Sequence, residues 1–197
     1  MNRNTDLIKQ AFDLLSGKWL LAIAVSIIAG LLSGVPQAID EKLTVLNIFI
    51  TGAISVGTAT FFLRIVRGQQ ERLEDIFEGF KTNYTASLVA VILTIIIVML
   101  GFVLLIVPGI ILALGLSQTF YILADDKQIS GIDAMKKSWS MMDGYKVKYF
   151  LLCLLYIGMA IAGALALIIG LLFVIPLIQN TNTLFYEKLK AGELVKV

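Results

Sequence analysis

Ile92–Leu93–Thr94–Ile95–Ile96–Ile97–Val98–Met99–Leu100 is nine residues with one hydroxyl and no charge. A strand of a membrane barrel would alternate apolar and polar side chains, and this run does not alternate. In hydrocarbon every backbone N–H and C=O must pair within its own segment, which leaves the α-helix. The run sits inside a longer apolar stretch, residues 85–107. That matches the ~20 residues a helix needs to cross a hydrocarbon layer of about 30 Å.

The same reading extends along the chain. Apolar stretches at residues 19–35, 45–63, 85–107, 109–124, 147–169 and 171–186 predict six transmembrane helices, the fourth and sixth being short. Composition agrees. Of 197 residues, 58% are hydrophobic and only 15% charged, with a mean hydropathy of +0.90. A soluble domain carries about 25% charged residues. The amino-terminal segment carries Arg3, Asp6, Lys9 and Asp13, and the first apolar run lacks a convincing small-x-small cleavage site, so the first span reads as retained.

Charge placement predicts orientation. Of the 16 lysines and arginines, only Lys42 falls between the first and second spans, beside Asp40 and Glu41. The turns near Pro108 and Gly170 carry no charge. Arg3, Lys9, Lys18, Arg64, Arg67, Arg72, Lys81, Lys127, Lys136, Lys137, Lys146, Lys148, Lys188, Lys190 and Lys196 all fall on the other side. By the positive-inside rule both termini are cytoplasmic and the chain is multi-pass. A net charge of +2 gives no reason to expect a nucleic-acid partner. Membrane lipids, and another membrane protein or a second copy, are the partners to expect.

Three amphipathic segments precede the outward spans. Leu7, Ala11, Leu14 and Leu15 form the first stripe. Leu73, Ile76, Phe77 and Phe80 form the second, and Ile132, Met135, Trp139 and Met142 the third. Such helices can lie at a membrane surface, as interface scaffolding or as docking surfaces. The whole is a single transmembrane domain, residues 1–197, of three hairpins. It carries a possible three-fold repeat over 5–63, 73–124 and 132–187, with Pro36, Pro108 and Pro176 one to each unit. Any three-hairpin membrane protein shows a similar rhythm.

Catalytic chemistry is hard to place. There is no histidine, which removes histidine bases and His-ligated metals, and Cys153 is the only cysteine. No charge lies in the middle of any span. Asp125–Asp126 with Lys127 reads as a solvated helix end rather than a metal site. No cofactor or metal is expected, and no enzymatic activity. The polar residues at membrane depth are Thr58 among Ser55, Thr58 and Thr60; Ser117 and Gln118 before Thr119; and Gln179, Asn180 and Asn182 within a run of five polar residues. They either bond helix to helix or line a cavity. Spacing puts Gln179 and Asn182 on one face and Asn180 about 100° away, which makes Asn180 the less important.

Phe62–Leu63–Arg64–Ile65–Val66–Arg67–Gly68–Gln69 followed by Asp75–Ile76–Phe77–Glu78–Gly79–Phe80 resembles the bacterial DUF975 family of uncharacterised integral membrane proteins. So, in order, do Leu105–Ile106–Val107–Pro108–Gly109–Ile110–Ile111, Tyr121–Ile122–Leu123–Ala124–Asp125, Ala134–Met135–Lys136–Lys137–Ser138, Met142–Asp143–Gly144–Tyr145–Lys146 and Phe185–Tyr186–Glu187–Lys188–Leu189. An acidic residue of the family pattern after Arg67–Gly68 is Gln69 here. The resemblance implies a bacterial cell-membrane protein and no known activity. The function expected is non-enzymatic, binding a membrane partner or serving envelope homeostasis. The alternative is a transporter or exporter of a small apolar or peptide-like molecule.

Overall fold

The computed structural model describes residues 3–39, 43–166 and 169–196. The fold is all-α: α1 Asn4–Leu14, α2 Trp19–Ile39, α3 Leu43–Val66, a 3-10 helix Leu73–Phe77, α4 Glu78–Lys81, α5 Tyr84–Leu104, α6 Ile106–Leu116, α7 Thr119–Asp125, α8 Gly131–Met141, α9 Lys146–Leu165 and α10 Ile169–Lys190. Among the described residues, five stretches have the length and hydropathy to cross a membrane: Asn47–Val66, Tyr84–Leu104, Ile106–Asp125, Lys146–Leu165 and Ile169–Lys190. The pair Asn4–Leu14 and Trp19–Gly34, bent by 106°, brings the count to six. The protein is therefore a multi-pass membrane protein with five to six candidate spans. The expected loop around Lys42 and the turn before Gly170 lie partly outside the described residues.

α3 is the hub. It packs against α2, the 3-10 helix, α4, α5, α7 and α10. Its Ala53, Val56, Phe61, Phe62, Leu63 and Ile65 are all buried. α5 sits at the other extreme: Ile95, Ile96, Met99, Leu100, Val103 and Leu104 are exposed from the bundle, as lipid-facing residues should be.

Three details differ from the sequence expectation. The turn between α5 and α6 is made by Leu105, whose backbone is extended (φ −165°, ψ 156°). Pro108 stands in the first turn of α6, where a proline's missing N–H costs nothing. Pro176, likewise, lies inside α10 rather than at a turn. The span read as residues 109–124 is two helices, α6 and α7, broken at Ser117–Gln118.

The second amphipathic stripe does not hold as one face. Residues 73–77 are wound as a 3-10 helix with about three residues per turn, so an i, i+3, i+4, i+7 pattern fans out. Ile76 is fully buried, while Phe77 and Phe80 are exposed, their rings tilted against each other, and Phe80 stacks on Tyr84. This segment is wedged backbone to backbone against α3. A Cβ on Gly57 would overlap the Ile76 carbonyl, and one on Gly79 would overlap the Ala53 carbonyl. Gly52 and Gly163 also meet neighbouring backbone, whereas Gly158 faces open space.

α1 keeps its stripe: Leu7, Ala11 and Leu15 are fully buried. They pack on α10 and the central core rather than on lipid.

Candidate functional site

The polar residues of α2, α3, α7, α9 and α10 converge on one cavity of about 450 Å³. Thr58, Ser117, Gln179 and Asn182 line it together with Ser26, Ser55, Tyr121, Tyr149 and Thr183. Apolar walls come from Ile54, Phe62, Phe120 and Ile175. Every polar group that lines it is uncharged.

Several of them are held by local bonding. The Ser26 hydroxyl lies 2.8 Å from the Ala22 carbonyl and 3.2 Å from Gln179 Oε1. Asn182 Oδ1 accepts from two phenols on α9, Tyr149 at 3.1 Å and Tyr156 at 2.9 Å. Tyr121 stacks on Tyr186 at 5.7 Å. The Thr58 hydroxyl is shielded from solvent and has no partner within the described residues. An unpaired buried hydroxyl costs about 1–3 kcal/mol until something pairs it.

Gln118 and Asn180 stand apart from the cavity lining. Gln118 is fully buried, donates to Ser117 Oγ at 2.9 Å, and leaves its own Oε1 unpaired. Asn180 points the other way, as its 100° offset requires, but it does not face lipid. It is fully buried and donates to the Ala11 carbonyl at 2.8 Å, fastening α1 to α10. The far face of α10, where Asn180 is expected to matter less, meets a docked helix.

Sequence reasoning missed Ser138. The break at Ser117–Gln118 frees backbone groups at membrane depth, where each must be re-paired. Ser138 of α8 does both jobs. Its hydroxyl donates to the Gly115 carbonyl at 2.8 Å and accepts from the Gln118 N–H at 3.1 Å. Ser117 and Thr119 take the Leu114 and Leu116 carbonyls. Tyr149 and Tyr156 were also missed, because nothing in their own apolar segment shows that Asn182 lies opposite them.

Beyond one end of the cavity a charge network ties together α3, α7 and α10. Arg67 Nη2 reaches Asp125 and Glu187, both at 2.6 Å. Lys190 and the Tyr186 hydroxyl also bond Asp125. Burial works against the Arg67 charge, but the hydrogen bonds it donates to Asp125 and Glu187 outweigh it and hold its pKa above the usual arginine value. Among the described residues no cluster of three or more His, Cys, Asp or Glu side chains is placed to hold a metal.

A family model described as "Protein of unknown function (DUF975)" matches residues 90–193, more than half of the chain. The chain belongs to the DUF975 family. No curated protein and no solved structure matches it. Within the DUF975 match lie Ser117, Tyr149, Gln179 and Asn182, with the broken span and Ser138. Ser26 and Thr58, from the opposite wall, lie before it.

These contacts rank three substitutions. Asn182→Leu strands two phenols, and at roughly 0.6–1.7 kcal/mol per interhelical bond it should cost about 1–3 kcal/mol. Asn180→Leu removes one bond and Gln179→Leu one weak one. Thermal unfolding in detergent should give losses in the order Asn182, Asn180, Gln179. Gln179→Leu emerging as the worst would refute the assignment of these contacts.

Proposed function

We propose that this chain is a non-enzymatic membrane protein that holds a small uncharged molecule, part apolar and part hydrogen-bonding, in the cavity of its bundle and transports it. The cavity itself carries this reading. Its ~450 Å³ falls in the size range of small-molecule sites. Its neutral lining suits a neutral ligand, since an ion there would lose its hydration without gaining a countercharge. The Gln179 and Asn182 amides offer donors and acceptors of the kind a peptide-like ligand needs.

The architecture proposed around it is three hairpins, α2–α3, α5 with α6–α7, and α9–α10, each led by a short cytoplasmic segment. All three leaders begin alike. The Asp6, Asp75 and Asp133 carboxylates reach back to Arg3 N–H, Arg72 N–H and the Ser130 hydroxyl at 3.1, 2.9 and 2.7 Å. That recurrence supports the three-fold repeat. The lysine and arginine bias supports cytoplasmic termini in a bacterial inner membrane. A partner-binding or envelope-homeostasis role draws on the same membrane setting, but no geometric feature distinguishes it from ordinary lipid contact.

Single cysteines in a Cys153→Ala background test the cavity. Cysteine at Gln179 or Asn182 should react with a small water-soluble thiol reagent in membranes, and cysteine at Asn180 should not. If neither cavity position reacts from either side, the transport reading fails.

A further inference from the structure

We propose that a groove on the lipid-facing side of α5, α6 and α8 is a binding site for an anionic phospholipid, one acyl chain in the groove and the headgroup phosphate on Lys136 and Lys146. The groove is separate from the polar cavity and holds about 410 Å³. Leu93 and Ile97 of α5, Leu112 and Leu116 of α6, and Met135 and Trp139 of α8 form its walls. Leu93 to Ile97 and Leu112 to Leu116 are each one helical turn, about 6 Å of apolar wall on either helix against which part of an acyl chain can lie.

Its polar end is built from cations. Lys136 is the one charged residue among the lining; three-quarters of its side chain is exposed, and its long 3.8 Å contact with the equally solvated Asp133 leaves the ammonium open to a phosphate. The Lys146 ammonium lies 4.4 Å from the centroid of the Trp139 ring, which forms the groove wall. Lys146 is also the first residue of the 20-residue helix α9, whose amino-terminal end favours an anion on its own account. Trp139 is fixed in place by Gly115, where any Cβ would collide with the indole ring. An apolar groove, an indole in its wall, and ammonium groups on Lys136 and over that ring supply contacts for an acyl chain and for an anionic headgroup. A zwitterionic headgroup offers the same chain but no net charge, so the two lysines select an acidic lipid.

Trp139 and Trp19 are the chain's two tryptophans. The full-length Trp19→Phe protein, reconstituted in bilayers of phosphatidylcholine and phosphatidylglycerol with one of them brominated on its chains, therefore reports on Trp139 alone. Brominated phosphatidylglycerol should quench at a lower mole fraction, with a preference on the order of tenfold for two lysines. Lys136→Gln with Lys146→Gln should bring the two lipids level, and Lys136→Gln alone, at an exposed position that does not threaten the fold, should shift the preference part of the way. Lys137→Gln, adjacent in sequence but outside the groove, should leave it unchanged. Equal quenching by the two lipids in the parent would overturn the proposal, as would a preference that survives the double substitution. Loss of the preference on adding inorganic phosphate would also overturn it, because the site would then take a free anion and not a lipid.

Discussion

Gly57→Ala is expected to destabilise the protein by about 3 kcal/mol or more, the upper end of the usual cost of overpacking. The added methyl has nowhere to go. It meets the Ile76 backbone carbonyl, which cannot rotate aside as a side chain would. α3 and the 73–81 segment would have to separate, uncovering Ile76 and the Arg64–Asp75 pair, 3.1 Å apart and nearly closed to solvent on the aspartate side. Gly79→Ala meets the Ala53 carbonyl and should do the same from the opposite surface. Gly158→Ala is the control. It is also helical, but an added Cβ has nothing within 4 Å, so the change should be neutral or stabilise by about 0.5–1 kcal/mol. For a chain of this size 3 kcal/mol corresponds to roughly 6–12 °C in melting temperature. A Gly57→Ala protein that melts with the parent would show that residues 73–81 do not pack on α3 in this way.

Asp125→Asn is expected to cost about 2–3 kcal/mol, the range for charge-assisted hydrogen bonds lost from a partly buried group. The carboxylate receives Arg67, Lys190 and the Tyr186 phenol, and its side chain is only 14% exposed. Arg67 keeps Glu187 after the change, so it is not left alone. Arg67→Gln combined with Asp125→Asn should cost less than the sum of the two separately, a coupling of about 1–2 kcal/mol. Lys136→Gln breaks a pair that is 3.8 Å apart and mostly in solvent, and should shift stability by about 0.5 kcal/mol at most. Additive effects at Arg67 and Asp125 in thermal unfolding would mean that the pair is not formed. The network joins the ends of the helices that supply Thr58, Tyr121 and Gln179 to the cavity. Loosening it should therefore also raise the reactivity of a cysteine at Gln179.

How far the sequence reached is decided by which signals are local. Span length and hydropathy are local, so α3, α5, α9 and α10 were legible, as was the face shared by Gln179 and Asn182. What lies opposite a face is not local. Asn180 was set aside because helix geometry turns it away from its neighbours, and nothing in its own segment announces that α1 waits there. The same holds for Ser138, an unremarkable serine on an amphipathic helix until the broken span opposite it is seen. The 3-10 winding of residues 73–77 escaped because its apolar spacing fits an α-helix equally well, and the close packing of Ile76 on Gly57 of α3 is not local to the segment.

The fastening of α1 bears on how the molecule is made. A ribosome delivers α1 long before α10, yet α1 finds its seat on α10. Asn180 holds Ala11, and Lys188 bonds Gln10 at 2.6 Å. Asn4 is held by the Lys148 carbonyl, again far along the chain. Until those later helices have been made, the contacts of α1 with α9 and α10 cannot form, and its buried Leu7 and Ala11 have only part of their cover, α3 among it. Membrane insertion and completion of the native bundle are thus separate events, and closure of the two ends of the chain on each other is the later of the two.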